Sequence, residues 1–271
     1  MQIKFYGTRG SFPVSNKGAL EFGGNTSCIS ILNGQQQLII DSGTGIYRLG
    51  KELVQLKEMD DIYVFYTHFH TDHIQGLPFF LPAYDQSFTI YMSSIQVNKT
   101  PKDLRNMIDT IMSHEFCPVS FEMLKADIHL YSLEEMKAQL TGLDLDTIEL
   151  NHPGGAGGIK IRGDDGKTIA ILTDNELAEP IAERYINFCM NVDVLIHDAH
   201  YTEAEYEETR GWGHSTYSKA LALAEKASVG QLILTHFNPD HDDTFLNEQQ
   251  RKCQSTFKNC LLAKEGLIVD V

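Results

Sequence analysis

The sequence predicts an α/β protein whose sheets are covered by helices, and two observations carry that prediction. Short apolar runs alternate with polar stretches of helical period along most of the chain. Six of the apolar runs end in an aspartate or a histidine, as they would if a site were built at the carboxyl ends of strands. No linker rich in proline, serine or glycine divides the 271 residues, and no repeat is visible. Residues 1–271 therefore read as a single domain, long enough to bury a sizeable core.

In chain order, Ile3-Lys4-Phe5-Tyr6 reads as a strand that stops at Gly7-Thr8-Arg9-Gly10, and a glycine-rich loop runs on to Phe22-Gly23-Gly24-Asn25-Thr26. Strand-like runs at 27–32 and 37–40 flank Asn33-Gly34, a strong hairpin signal. Ile46, Leu49, Leu53 and Leu56 then keep helical period. The apolar run 62–66 leads into a histidine cluster, followed by a compact apolar segment at 76–84 around Pro78 and Pro82. Residues 88–92 suit a strand, and 102–114 a helix opened by Thr100-Pro101. The stretch 115–145 is the least legible, with a strand at 127–131 and a polar helix or loop at 133–139. Further strands are expected at 146–150, 159–161, 168–172, 192–196, 231–234 and 267–269. Further helices are expected at 179–188, 219–227 and roughly 246–262.

Composition narrows the function classes. With 22 basic and 37 acidic residues the formal charge is -15, and no basic cluster offers a counterion-displacing surface, so a large nucleic-acid partner is disfavoured. A small anionic substrate drawn by bound metal remains compatible with that charge. No stretch is long and apolar enough to span a bilayer, and the start lacks the pattern of a signal peptide, so a cytoplasmic protein is expected. The five cysteines include no C-x-x-C pair and suit reduced, structural thiols.

The chemistry concentrates in Thr67-His68-Phe69-His70-Thr71-Asp72-His73, directly after a strand. On an extended chain His68, His70 and Asp72 share a face, whereas His73 joins them only if the backbone turns there. Imidazole and carboxylate are the ligands zinc and similar ions accept. The other strand-end residues are Asp41, His152, Asp174, Asp198 and His236. Each alone has an ordinary explanation; Asp41, before Ser-Gly-Thr-Gly, suits a turn or helix cap. Taken with the histidine cluster, His152, Asp174 and His236 complete a two-metal set. His68, His70 and His152 would hold one ion, Asp72, His73 and His236 the other, with Asp174 bridging. Zinc is the default ion, and Mn2+ or Fe2+ accept the same ligands.

These residues resemble the metallo-β-lactamase superfamily, whose H-x-H-x-D-H signature is met by His68, His70, Asp72 and His73, with later ligands in order at His152, Asp174 and His236. The resemblance implies a four-layer αββα sandwich. Gly211-Trp212-Gly213-His214-Ser215-Thr216 and Leu195-Ile196-His197-Asp198-Ala199 look like the phosphodiesterase branch containing ribonuclease Z and small cyclic phosphodiesterases. That likeness implies an acid–base relay of Asp198 and His214 beside the metals. The opening Gly7-Thr8-Arg9-Gly10-Ser11, with Gly23–Ser27 and His152-Pro153-Gly154-Gly155, is closer to the small bacterial phosphodiesterases. Ribonuclease Z carries a tRNA-binding arm between the positions matching His152 and Asp174, and this interval is too short for one. Gly158-Ile159-Lys160 also stands where relatives commonly have Gly-Tyr-Arg, a change on the substrate side of the site.

The expected activity is hydrolysis of a small or cyclic phosphodiester, with Asp72 also orienting the nucleophile and His214 serving the leaving oxygen. Ser215 is the expected N-cap of the following helix, whose amino end would oppose a charge on His214 while Asp198 favours it. Thioester or lactone hydrolysis on the same fold is the alternative, ahead of a tRNA 3′-endonuclease or a non-catalytic metal-binding module. A homodimer is compatible with the sequence. His200 and His241 are expected at the rim or surface, Trp212 as a wall of the pocket, and Asn25 and Ser11 at its mouth or in turns. The run 202–208 reads as a solvated helix face.

Overall fold

The structure is a computed structural model that describes residues 1–56 and 61–271. The elements run β1 (Gln2–Gly7), β2 (Cys28–Asn33), β3 (Gln36–Ile40), α1 (Ile46–Leu56), β4 (Asp61–Tyr66), α2 (Thr71–Ile74), β5 (Thr89–Ser94), α3 (Pro101–Ile111), β6 (Asp127–Leu130), α4 (Leu133–Lys137) and β7 (Leu143–Leu150). They continue as β8 (Ala156–Gly163), β9 (Thr168–Leu172), α5 (Glu183–Cys189), β10 (Val194–Asp198), α6 (Glu203–Thr209), α7 (Tyr217–Lys226), β11 (Gln231–Thr235), α8 (Asp243–Thr256), β12 (Cys260–Leu262) and β13 (Ile268–Asp270). One sheet has the order β13-β1-β2-β3-β4-β5-β6, the other β12-β11-β10-β9-β8-β7.

Period-two alternation sorts these strands into layers. In β3 and β4, Leu38, Ile40, Tyr63 and Phe65 face the second sheet, while Ile39, Ile62 and Val64 face α1 and α3. In β9 to β11, Ile169, Ile171, Ile196 and Ile233 face the first sheet, while Ala170, Leu195, Leu232 and Leu234 face α5, α7 and α8. Three apolar layers between four layers of secondary structure make the αββα sandwich. Strands β3, β4 and β5 run parallel, as do β9, β10 and β11, so their carboxyl ends gather at an edge of each sheet.

Several boundaries differ from the sequence expectations. The helix expected over 179–188 begins only at Glu183, with Ala182 at its N-cap in extended backbone. The expected helix over 246–262 is two elements. Helix α8 is capped by Asp242, whose side chain accepts from Phe245 N at 2.8 Å, and Cys260–Leu262 pairs in parallel with Leu232–Leu234. Helix α3 stops at Ile111, short of His114. The cap of α7 is Thr216, accepting from Lys219 N, and not Ser215.

Candidate metal centre

The turn that His73 requires is present: α2 starts at Thr71, with His70 at its N-cap, so Asp72 and His73 swing back toward His68. Asp41, Asp174 and His236 all take left-handed backbone, with φ of 63°, 59° and 60°. Such conformations are uncommon outside glycine and gather where surrounding structure over-determines them. Here they turn the chain off the strand ends toward a common point.

The seven residues named as ligands meet there, buried in every case but His70. His152 Nε2 lies 2.9 Å from His70 Nδ1, and the His68 ring is 4.5 Å and 4.7 Å from those of His70 and His152. Across the site His73 Nε2 stands 3.2 Å from His236 Nε2 and 3.2 Å from Asp72 Oδ2. Asp174 reaches His73 Nε2 at 3.1 Å and His236 Nε2 at 3.3 Å, and its other near neighbours are His68 and the pair His152 and His214. The aspartate therefore sits between the two triads.

Donor chemistry fits a pair of cations. Tetrahedral bonds of about 2.0–2.1 Å put ligand atoms about 3.3 Å apart, close to the spacings here. His68 Nε2 is buried without a hydrogen-bond partner among the described residues, a costly state unless something else binds it. Burial pushes His68 and His152, and partial desolvation pushes the more exposed His70, toward the neutral imidazole that a metal needs. Burial also opposes charge on His73 and His236, but Asp174 and Asp72 outweigh it and raise both. The same pairing holds Asp72 and Asp174 well below the usual carboxylate range despite their burial.

Neighbouring groups orient the ligands. Asp41 does more than cap a turn: its carboxylate accepts from His73 Nδ1 at 2.7 Å and from Thr67 N and Oγ1 at 2.8 Å, which aims His73 Nε2 inward. Asp72 Oδ2 accepts from Ser11 N at 2.8 Å. Gly10 must lack a side chain, since a Cβ there would lie 2.2 Å from His236 Nδ1.

His214 Nδ1 lies 3.5 Å from Asp174 Oδ1 and 3.6 Å from Asp198 Oδ2, beyond hydrogen-bond reach of either, and has no partner among the described residues. Asp198 instead accepts from Ser215 N at 2.8 Å and Asn175 N at 3.2 Å, joining the segments that carry His214 and Asp174.

Two peripheral expectations need correction. His200 is buried, not at the rim: its ring stacks on His214 at 4.4 Å, and Nδ1 donates to His236 O at 2.9 Å. His241 is also buried, against Phe245 and Glu205, because the loop after His236 folds inward over Arg9. Trp212 is 64% exposed, in the loop that leads to His214. Asn25 takes the turn role, bonding through N and Nδ2 to Glu265. A mostly apolar cavity of about 730 Å3 lies beside α2 among Thr71, Ile74, Gln75 and Phe79, and none of the seven ligand candidates lines it.

The profile of the "Beta-lactamase superfamily domain" matches residues 36–237. Ribonuclease Z of Halalkalibacterium halodurans is 25% identical, over 98% of this chain and 96% of its own. Ribonuclease Z of Prochlorococcus marinus strain NATL2A is also 25% identical, over 100% and 99%. Among solved structures, the metallo-β-lactamase fold protein YhfI from Bacillus subtilis superposes with a TM-score of 0.71 at 18% identity, covering 99% of this chain and 98% of that one. A diphosphatase of the PhnP family gives 0.69 at 18% identity, covering 100% and 97%. The chain therefore belongs to the β-lactamase superfamily, as a metal-dependent hydrolase of the metallo-β-lactamase fold.

Proposed function

We propose that the chain hydrolyses a small or cyclic phosphodiester. The observation that carries this reading is the buried His214 ring beside the ligand set, 5.2 Å from His152 and 5.1 Å from His236. An imidazole held there, with no partner on Nδ1 among the described residues, is free to serve a leaving oxygen. Two divalent ions, zinc by default, held by His68, His70 and His152 and by Asp72, His73 and His236 with Asp174 between, would supply Lewis-acid charge stabilisation and an activated water. Asp72 would orient that water, Ser11 N fixing its carboxylate. His214 would hand a proton to the departing alkoxide, with Asp198 steadying the backbone on which His214 rides.

The names of the relatives raise tRNA 3′-end cleavage as a second reading. Three observations favour the small substrate. The interval between His152 and Asp174 is filled by β8 and β9, which pair from Ile159↔Ile171 to Arg162↔Thr168. The alignment with the Halalkalibacterium enzyme spans 315 positions against 271 residues here, so that relative carries residues without counterpart in this chain. The charge of -15 also argues against a polyanionic partner.

A substrate panel tests this directly. Zinc-loaded protein is offered 2′,3′- and 3′,5′-cyclic nucleotides, a chromogenic phosphodiester, a thioester, a lactone and a precursor tRNA. The phosphodiesters should turn over fastest, and a chelator should abolish the activity. Faster turnover of the thioester, the lactone or the tRNA overturns the reading.

A further inference from the structure

We infer that Glu176 is a positioning residue, one that holds a metal ligand in its metal-ready tautomer from a distance. Its side chain is 9% exposed, and a buried carboxylate is costly unless its oxygens are satisfied. They are. Oε1 accepts from Tyr206 Oη at 2.8 Å, Gly211 N donates to both oxygens at 2.9 Å, and Gly213 N donates to Oε2 at 2.9 Å. The two glycines have φ of 85° and 91°, the left-handed backbone that turns both amides onto one anion. The carboxylate thus closes the loop that presents exposed Trp212 on one side and His214 on the other.

The consequence reaches the metal site through a carbonyl. Gly213 O lies 3.0 Å from His152 Nδ1. A carbonyl oxygen only accepts, so the ring proton must sit on Nδ1, leaving the Nε2 lone pair facing His70. The contact is tight enough that a Cβ on Gly213 would lie 2.1 Å from Nδ1. The backbone of Glu176 is tied to the same ligand: Glu176 N donates to Asn151 O at 2.9 Å, and Asn151 Nδ2 donates to Glu176 O at 2.8 Å. One side chain therefore couples the segment after Asp174, the residue before His152 and the loop before His214. Glutamine in its place has a single oxygen and brings an amino group against amide N–H donors, so the loop loses its clamp.

This inference rests on His152 being a metal ligand, and the test separates the two ideas. Zinc affinity is measured by chelator competition for the wild type, Glu176→Gln and His152→Ala. Ring-nitrogen NMR of the metal-free proteins reads the His152 tautomer. The wild type should carry its proton on Nδ1. Glu176→Gln should mix the tautomers and weaken zinc by about 10–100-fold, the usual cost of disturbing groups that orient metal ligands. Should that variant fail to fold, Glu176→Asp keeps the charge but falls short of both glycine amides, and the same shifts are expected. If His152→Ala binds zinc like the wild type, the ligand assignment fails and this inference falls with it. If His152→Ala loses zinc while the Glu176 variants keep both wild-type affinity and the Nδ1 proton, only the role of Glu176 is overturned.

Discussion

At the scale of single residues, burial and hydrogen-bond satisfaction separate binding from catalysis. His68, His73, Asp174 and His236 lie at the centre, buried and within reach of one another, in groups that could hold metal ions. On the proposed reading His214 is different: its ring stacks on His200 and lies 3.5 Å or more from either carboxylate, and its role would be that of a proton donor. His214→Ala should therefore retain both metals by elemental analysis while losing roughly 10²–10⁴-fold in turnover, the usual scale for a general acid or base. Undiminished turnover in a metal-replete variant would remove His214 from the chemistry. His200 was missed by sequence reasoning because nothing in His197-Asp198-Ala199-His200 says which histidine faces inward. Its place two residues beyond a strand-end aspartate, on the same side of an extended chain, was the available signal.

At the scale of elements, what was legible depended on whether the governing interaction is local. Period-two runs located the strands on both inner faces, and Asn33-Gly34 located the β2–β3 hairpin, because alternation and turn chemistry are written into neighbouring residues. The strand-end rule likewise picked out Asp41, His152, Asp174 and His236, residues that the fold brings to one place. It failed where partners are distant. Cys260–Leu262 resembles the end of an amphipathic helix, and only pairing with Leu232–Leu234 makes it a strand. Nothing local in Asn175-Glu176-Leu177 marks Glu176, because its partners Gly211 and Gly213 are more than thirty positions away. Helix α8 supplies a test at this scale, since its start is decided by one local bond, Asp242 to Phe245 N. Asp242→Ala should cost about 1 kcal/mol and lower the melting temperature by about 2–4 °C. Zinc affinity should not change, because the cap lies beyond the loop that follows His236. A melting temperature equal to the wild type would show that packing against β12, and not the cap, sets where α8 begins.

For the whole molecule, acid acts through two opposed effects. The charge of -15 makes the native state repel itself, so mild acid relieves repulsion and stabilises. Buried neutral histidines act the other way, because unfolding exposes them to protonation. His241 isolates this second effect. Burial lowers its pKa from the ordinary 6.5, and the nearby Glu205 carboxylate offsets that only in part. With the folded value below the unfolded one, the unfolded chain binds more protons between the two. The stabilisation is therefore complete above about pH 6.5 and is lost as pH falls below it toward the folded value. Glu205, itself held below the usual range mainly by hydrogen bonds from Thr202 and His241 against its burial, adds a loss of the same sign only at lower pH, below about 4.5. Comparing the metal-free wild type with His241→Phe cancels the global repulsion, since the two chains differ by a single titrating ring. The wild type's advantage in melting temperature should hold from pH 8 to about pH 6.5 and shrink steadily from there to pH 5. A difference that stayed constant across that range would mean that His241 titrates alike in both states, and that the acid response is set by net charge alone.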